Sequence, residues 1–166
     1  YYEEVLIVKV HPKIMREYQR IPANLIQDEA QTFEQRYSDI NNFEDYLSRN
    51  GTRIVKIFLN ISSQEQKERL LARIEEPDKN WKMSLQDVVE RDSWDHYMAA
   101  YQDVLDKTST PHSRWYVVPG NDKKNARLII SQILISELES LELHFPAVTD
   151  EFRAKLKEVR DYLVKS

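Results

Sequence analysis

Basic side chains lie close together in the middle of the sequence and include Arg69, Arg73, Lys79, Lys82 and Arg91. Guanidinium groups grip phosphate oxygens with a two-pronged donor fork, and ammonium groups attract them as point charges. Arg69 and Arg73 are four residues apart, so a helix would present both on one face. The pattern admits a phosphate site. It also describes a solvated, salt-bridged surface, and composition alone favours this second interpretation because acidic residues outnumber basic ones here.

The same stretch carries carboxylates that could hold magnesium or orient a nucleophile, and they are Asp87, Glu90, Asp92 and Asp95. Acidic residues just after Ser84 also suit the first turn of a helix, where the helix dipole favours negative charge. The second interpretation is the simpler one.

Aromatic side chains follow at helical spacing, at Trp94, Tyr97 and Tyr101. Such a stripe is typical of a hydrophobic core, and a platform for stacking a nucleotide base is the alternative. The four histidines have no spacing typical of metal ligands. From these residues alone the sequence indicates an α/β domain with a basic loop and helix.

Composition narrows the class of protein. The chain has 166 residues, a net charge of −4, no cysteine and only two glycines, Gly51 and Gly120. Two isolated glycines cannot form a Gly-rich phosphate loop, and a net negative charge does not favour general nucleic-acid binding.

The sequence has neither an apolar run of membrane-spanning length nor a basic-then-apolar leader. We expect a cytoplasmic protein without nucleic-acid or membrane partners. Since the chain begins with Tyr1 rather than with Met, we expect it to be part of a longer protein.

The periodicities predict alternating helices and strands. Residues 3–10 fit a strand or a helix equally. Helices are predicted over 28–50 (with Phe33, Tyr37, Ile40, Phe43 and Leu47 on one face), from the Ser62 capping box to Glu76, from Ser84 to Thr108, over 126–141 and over 150–164. Strands are predicted over 53–60 and 114–118. The long helical crossover between the strands predicts that they are parallel, giving an α/β sheet flanked by helices.

Several strings of the sequence resemble the polyphosphate kinase 2 family over nearly all of residues 1–143. They are Tyr2-Glu3-Glu4-Val5-Leu6, Val8-Lys9-Val10-His11-Pro12, Arg36-Tyr37, Ile40-Asn41-Asn42-Phe43-Glu44, Gly51-Thr52, Lys56-Ile57-Phe58-Leu59, Glu65-Gln66 with Arg69 and Arg73, Pro77-Asp78-Lys79-Asn80-Trp81-Lys82, Asp87 with Arg91, Trp94 and Tyr97, Thr108-Ser109-Thr110, Trp115-Tyr116-Val117-Val118-Pro119, and Lys123-Lys124-Asn125-Ala126-Arg127-Leu128. Their order and spacing together make the resemblance specific.

The resemblance implies a P-loop-kinase-like, three-layer fold with a helical lid at about residues 63–108. Residues 1–146 would be an N-terminally incomplete kinase-like domain, and residues 147–166 a C-terminal helical tail. The implied activity is phosphoryl transfer between inorganic polyphosphate and AMP or ADP, with ATP among the nucleotides, Mg²⁺ as cofactor and a homo-oligomeric assembly. The Tyr2-Glu3-Glu4 string resembles the branch of the family that acts on AMP, or on both AMP and ADP.

The resemblance also assigns roles to residues. Arg73, Lys82 and Arg91 would be catalytic, and Arg69, Lys79 and Lys9 would bind phosphate; no metal ligand is assigned within this chain. The family's Walker-type loop is expected before Tyr1, so the fragment is expected to be inactive by itself. Asn121 stands where the family more often has an aspartate. The alternative is a truncated, non-catalytic module that binds polyanions or mediates oligomerisation.

Overall fold

The computed structural model describes residues 1–26 and 28–165, and this part of the chain is mostly helical with a small parallel sheet. Contacts divide the chain into two compact units, Tyr1–Ile130 and Ser131–Ser166. The helices are α1 (Ile7–Val10), α2 (Lys13–Glu17), α3 (Glu29–Arg49), α4 (Ser63–Glu75), α5 (Leu85–Val89), α6 (Trp94–Thr108), α7 (Lys123–Glu139) and α8 (Asp150–Lys165). The strands are β1 (Lys56–Asn60) and β2 (Trp115–Pro119), and short 3-10 turns cover Tyr2–Val5, Ala23–Leu25, Asn80–Lys82 and Glu90–Ser93.

The N-terminal residues, which fit a strand or a helix by pattern, are helical. Val5 and Val8 are three residues apart on one helical side, and both are buried. They pack with Met15 of α2 and with α3 and α6 in the hydrophobic core of the first unit. Burial of this single apolar side selects the helix over the strand.

Helix α3 confirms the helix predicted over 28–50. The Asp28 side chain caps its start by accepting a hydrogen bond from the Gln31 backbone N–H at 3.1 Å. The helix ends at Arg49, followed by Asn50 and by Gly51, whose φ of +86° suits glycine. One part of the predicted face is wrong, because Phe43 is largely exposed and Glu44 takes the buried position.

Strands β1 and β2 pair in parallel, as predicted, with Lys56 opposite Trp115 and Asn60 opposite Pro119. β1 begins at Lys56, three residues later than the predicted start at residue 53. The Phe58 ring of β1 stacks on Tyr101 of α6, with ring centroids 4.4 Å apart, so that α6 packs on the sheet.

The single long helix predicted from Ser84 to Thr108 is wrong: the structure has α5, the 3-10 turn Glu90–Ser93 and then α6. The Ser84 hydroxyl caps α5, in agreement with the predicted start. We attribute the break to tertiary hydrogen bonds at the turn. There Glu90 bonds His11, and Arg91 bonds Ser63 and Gln66, and these contacts override the helical periodicity.

A buried ion pair joins α3 to the start of β1. Glu44 is 0% exposed and Lys56 is 6% exposed, and their charged atoms are 2.7 Å apart. The Glu44 carboxylate also accepts hydrogen bonds at 2.8 Å from the hydroxyls of Tyr1, Tyr2 and Ser113. Lys56 in turn donates to the Thr108 carbonyl at the end of α6, at 2.6 Å. Every charge of the pair therefore has hydrogen-bonding partners.

These contacts determine the ionisation of Glu44. Burial by itself would raise the pKa of its carboxyl, but hydrogen bonds from Lys56, Ser113, Tyr2 and Tyr1 stabilise the carboxylate and hold the pKa below its ordinary value. Burial is the largest cause that raises the pKa of both tyrosine hydroxyls, and the hydrogen bond that each donates to Glu44 raises it further, whereas the Thr108 hydrogen bond lowers that of Tyr2. The tyrosines therefore remain neutral donors.

The second unit contains the end of α7 and all of α8. Asp122, in the first unit, caps α7 by accepting from the backbone N–H groups of Lys124 and Asn125, so α7 starts at Lys123, three residues before the prediction. The predicted tail helix is confirmed as α8, and all of its residues are exposed. Across residues 1–26 and 28–165, no helix is both long and apolar enough to cross a membrane.

Replacing Glu44 with Gln is expected to lower the free energy of unfolding by about 3–5 kcal/mol, because the Lys56 ammonium stays buried without its counter-charge. Urea denaturation at neutral pH measures the loss. Asp39→Asn is the matched control, since Asp39 is exposed on the same helix, and it should change stability by less than about 0.5 kcal/mol.

The pH dependence of stability has a definite sign. Because the folded-state pKa of Glu44 is lowered, its stabilisation is complete above the ordinary glutamate value of about 4.3 and is lost as the pH falls through the lower folded value. Wild-type stability should therefore fall on acidification below about pH 5, and less steeply in Glu44→Gln. Equal slopes for the two proteins would contradict the assignment.

Candidate functional site

A pocket of about 450 Å³ opens beside the C-terminal end of β1, between α4, α5 and α6. This is the end of a parallel strand at which α/β proteins usually bind ligands. Its lining combines arginines, carboxylates and aromatic rings, and consists of Phe58, Leu59, Ile61, Gln66, Arg69, Leu70, Arg73, Asp87, Glu90, Trp94, Tyr97, Met98 and Tyr101.

Helix α4 forms the basic wall of the pocket. The Ser62 hydroxyl caps it by accepting from the Glu65 backbone N–H at 3.1 Å. Asn121 completes the cap, because its Oδ1 accepts from the Ser62 backbone N–H at 2.9 Å and its Nδ2 donates to the Ser62 hydroxyl at 3.2 Å. The amide at Asn121, noted in the sequence as a departure from aspartate, thus supplies an acceptor and a donor to the start of α4.

Arg69 and Arg73 lie on the same face of α4, as predicted, but their guanidinium groups differ in environment. Arg69 donates to Glu65 at 2.7 Å and to the Gly120 carbonyl at 2.6 Å, so it ties α4 to the loop after β2. Arg73 has a single long contact of 3.4 Å with Asp87, and its side chain is 41% exposed. Arg73 is therefore the arginine of this pair that is available to a ligand.

Gly120 lies where two chain segments meet closely. Its backbone N–H donates to the Asn60 carbonyl at 2.8 Å. A Cβ atom at this position would lie 2.7 Å from the Ile61 side chain and 3.3 Å from the Asn60 carbonyl oxygen. Glycine is required there by space, and it places the carbonyl that receives Arg69.

Glu90 holds the acidic side of the pocket in place. Its carboxylate contacts the His11 ring nitrogen at 2.7 Å and accepts from the Tyr97 hydroxyl and from Gln86, both at 2.8 Å. The His11 hydrogen bond, and then those of Gln86 and Tyr97, outweigh burial and lower the pKa of Glu90. Burial and then the Glu90 contact raise the pKa of Tyr97. Glu90 is therefore a carboxylate with its acceptor sites in use.

The aromatic residues of α6 line the pocket rather than the deep core. Trp94, Tyr97 and Tyr101 are all half-buried, and Tyr101 is stacked against Phe58 of β1. The two interpretations of this stripe, core and platform, are thus partly combined. Tyr101 packs on β1, and all three residues line the pocket.

Two predicted site residues are engaged with the protein itself. Arg91 donates to the Ser63 carbonyl at 3.1 Å and to the Gln66 side chain at 2.7 Å, which fastens the 3-10 turn to α4. Lys9 contacts Asp103 of α6 and the Tyr37 hydroxyl, and neither it nor Arg91 is among the residues that line the pocket. Burial opposes the charge of Lys9, but hydrogen bonds to Asp103 and Tyr37 raise its pKa overall.

Two other predicted residues lie on the exposed loop between α4 and α5. Lys79 forms an exposed ion pair with Glu76. The Lys82 ammonium lies 4.8 Å from the centroid of the exposed Trp81 ring. Asn80 shapes this loop by donating to the carbonyls of Arg73 and Ile74 at the end of α4, at 2.8 Å and 2.7 Å.

A metal site does not assemble from this part of the chain. Among residues 1–26 and 28–165, no three histidine or carboxylate side chains come close enough together to hold a metal ion. Asp87 and Glu90 reach the pocket, and each already has protein partners. The described residues alone therefore do not fit a resident Mg²⁺, which usually keeps several waters and substrate phosphates among its ligands.

Sequence reasoning missed the residues that hold the site together, namely Glu44, Lys56, His11, Gly120 and the capping role of Asn121. One signal was available for the first two. Glu44 interrupts the apolar face of α3 four residues after Ile40, and Lys56 starts an otherwise apolar strand. Charged residues at two buried positions are expected to pair with each other.

The sequence matches the polyphosphate kinase 2 family over residues 16–146. It is 48% identical over 166 residues to the ADP-polyphosphate phosphotransferase of Rhodopseudomonas palustris, covering 99% of this chain and 56% of that protein. It is 37% identical over 146 residues to the AMP/ADP-polyphosphate phosphotransferase of Meiothermus ruber, covering 88% and 49%. The crystal structure of polyphosphate kinase 2 from Arthrobacter aurescens TC1 matches with a TM-score of 0.81 and 41% identity, covering 99% of this chain and 52% of that one.

This likeness confirms the predicted α/β, P-loop-kinase-like fold. The chain spans about half the length of these relatives, with 56% of the first and 49% of the second covered.

Alanine substitutions of the two arginines of α4 should differ in their effect on the free energy of unfolding. Arg69→Ala is expected to lower the free energy of unfolding by about 1.5–3 kcal/mol, because it removes two charge-assisted hydrogen bonds and leaves the Gly120 carbonyl without its donor. Arg73→Ala is the matched control on the same helix face and should cost less than about 0.5 kcal/mol. Equal losses in urea denaturation would contradict the division of roles.

Proposed function

The chain belongs to the polyphosphate kinase 2 family, and from that premise we propose that the protein transfers a phosphoryl group between inorganic polyphosphate and AMP or ADP. The names of two relatives, an ADP-polyphosphate and an AMP/ADP-polyphosphate phosphotransferase, support this class of substrates. The single observation within the chain that carries the proposal is the pocket at the end of β1, which is lined by an available arginine and by half-buried aromatic residues.

We assign the two kinds of surface in the pocket to the two parts of a nucleotide. Aromatic faces bind a nucleotide base by stacking, and stacking does not require a particular pattern of hydrogen bonds. Trp94 and Tyr97 supply such faces, and Met98 adds a polarisable side chain beside them. Within the part of the chain that the structure describes, the Arg73 guanidinium hydrogen-bonds only to Asp87, at 3.4 Å, so it is available to phosphate oxygens.

Polyphosphate is assigned to the exposed loop between α4 and α5. Lys82 and Lys79 present ammonium groups there, directly after the α4 face that carries Arg73. An exposed pair such as Lys79–Glu76 contributes little stability, so phosphate can replace the carboxylate at low cost. Phosphoryl transfer depends mostly on positioning and on neutralising charge, and cations along a loop can do both.

The segment from 63 to 108 is proposed to act as the lid. Its helices and exposed loop border the pocket, and closing over bound phosphates would exclude water and suppress wasteful hydrolysis. Arg91 and Arg69 then act as positioning residues: Arg91 fixes the turn Glu90–Ser93 to α4, and Arg69 fixes α4 to the loop after β2. Lys9 of α1 supports α6 through its ion pair with Asp103.

Mg²⁺ is proposed to enter with the phosphates, since the described residues form no metal cluster of their own. When bound, the ion would neutralise charge on the phosphate oxygens. A cytoplasmic location is part of the same proposal, because AMP and ADP are its substrates.

A second candidate is a non-catalytic module that binds polyanions. It is favoured by one observation: the available cations Arg73, Lys79 and Lys82 lie within this chain. Such a module would bind polyphosphate and turn over no nucleotide, so an activity assay separates the two candidates.

In the full-length protein, Lys82→Ala and Arg73→Ala are each expected to reduce turnover of AMP or ADP with polyphosphate and Mg²⁺ by at least about 10-fold, equal to about 1.4 kcal/mol of transition-state stabilisation. Both should leave the unfolding midpoint unchanged, since neither side chain has a strong protein contact. Nucleotide product is measured by coupled luminescence or chromatography.

Lys67→Ala is the matched control for these variants, because Lys67 is an exposed lysine on α4, and its turnover should match the wild type. Arg91→Ala should also reduce turnover by at least about 10-fold. Unlike the other two variants it should lower thermal stability as well, because it removes the hydrogen bonds that hold the Glu90–Ser93 turn on α4 rather than a phosphate contact. Wild-type turnover in both Lys82→Ala and Arg73→Ala would contradict the lid assignment.

A further inference from the structure

His11 lies in a fixed bend between α1 and α2. Its backbone N–H donates to the Ile7 carbonyl at 2.8 Å, and its own carbonyl accepts from the Ile14 N–H at 3.0 Å. The nearby side chains of Val8 and Met15 are buried in the core of the first unit. The imidazole ring is therefore anchored to the core, although His11 is not one of the described residues that line the pocket.

The His11 ring reaches the wall of the pocket through Glu90, which is 79 residues away in sequence. Nε2 of His11 lies 2.7 Å from Oε2 of Glu90, and the Tyr97 hydroxyl donates to the same oxygen at 2.8 Å. Because Glu90 is a carboxylate and can only accept, Nε2 of His11 carries the proton of this hydrogen bond. The rings of His11 and Tyr97 meet edge to face, with centroids 6.3 Å apart. Glu90 thus joins a histidine outside the pocket to a tyrosine that lines it.

The first consequence concerns the orientation of Tyr97. Helix α6 holds the side chain at its Cβ atom, and the hydrogen bond to Glu90 holds it at the hydroxyl. A ring that is fixed at both ends loses little conformational freedom when a nucleotide base stacks on it, so the protein has already met part of the cost of binding. Trp94, three residues earlier on α6, lines the same pocket.

The second consequence concerns the negative charge of the pocket. Oε2 of Glu90 is occupied by His11 and Tyr97, and Oε1 accepts from Gln86 at 2.8 Å. Without His11, the carboxylate would lose the donor that comes from outside the pocket and would be less restrained and less compensated. An uncompensated carboxylate at the wall opposes the binding of nucleotide phosphates by like-charge repulsion.

We propose that His11 is a positioning residue for nucleotide binding, and that it acts through Glu90 on the orientation of Tyr97 and on the charge of the pocket. The inference rests on the proposed function, in which this pocket takes AMP or ADP. Polyphosphate is assigned to the loop that carries Lys79 and Lys82, whereas the side-chain contacts of His11 are made with Glu90 and Tyr97. His11 therefore affects the KM for the nucleotide and not the KM for polyphosphate.

Steady-state kinetics of the full-length protein measure this difference between the two substrates. His11→Ala is expected to raise the KM for AMP or ADP at least about fivefold, with kcat and the KM for polyphosphate within about twofold of the wild type. In His11→Gln the side-chain amide can donate to Glu90 in place of Nε2, so the nucleotide KM should return to within about twofold of the wild type. His96→Ala is the matched control, because His96 is an exposed histidine on α6, and it should leave all three constants unchanged.

A double-mutant cycle tests whether His11 acts through Glu90. In a Glu90→Ala background, His11→Ala should change the nucleotide KM by less than about twofold, because the carboxylate that His11 positions is gone. Tyr97→Phe breaks the same network at its other end, keeps the ring and should raise the nucleotide KM at least about threefold. Thermal unfolding establishes that each variant is folded, and Tyr97→Phe and His11→Gln carry the test if His11→Ala is not.

Three results would overturn the inference and leave the proposed function intact, provided that the wild type is active. They are an unchanged nucleotide KM in folded His11→Ala, an unchanged nucleotide KM in Tyr97→Phe, and an undiminished effect of His11→Ala in the Glu90→Ala background. A folded wild-type protein that transfers no phosphoryl group between polyphosphate and AMP or ADP would overturn the proposed function, and this inference with it.

Discussion

The buried pair of Glu44 and Lys56 is the interaction on which the rest of the first unit depends. It joins α3 to the first residue of β1, and Lys56 extends the link to the last residue of α6 through the Thr108 carbonyl. The Trp115 indole N–H of β2 also donates to Thr108, at 2.9 Å. The pocket lies at the opposite ends of β1 and α6 from this network. A network with every charge satisfied can specify one arrangement in this way.

The second principle of the structure is how its cations are used. Arg69, Arg91 and Lys9 donate hydrogen bonds to carbonyls and carboxylates of other elements, and these contacts hold the elements together. Among residues 1–26 and 28–165, the Arg73 guanidinium has one long hydrogen bond with Asp87 and the Lys82 ammonium lies over the Trp81 ring. A phosphate ligand would have to compete with partners at the first set but not at the second. Both sets contain arginine and lysine, so residue type does not separate them, and the contacts do.

The sequence predicted what depends on local pattern and on strand connection. The helices around residues 29–49 and 63–75, the two strands and their parallel pairing were all correct. The break at Glu90–Ser93 was not predictable, because it is produced by His11, Ser63 and Gln66, which are remote in sequence. Phe43 was assigned to the core for a related reason: the period is right, but the partner that selects Glu44 comes from β1. The predicted roles of the basic residues stay predictions.

A crystal structure of the protein with AMP, polyphosphate and Mg²⁺ tests the central claim most directly, because it locates the phosphate oxygens. Our account predicts hydrogen-bonding distances from those oxygens to Arg73 and Lys82, with Arg69, Arg91 and Lys9 still bound to their present protein partners. Phosphates bound instead by Arg69, Arg91 or Lys9, with the Gly120, Ser63 or Asp103 contacts broken, would contradict it.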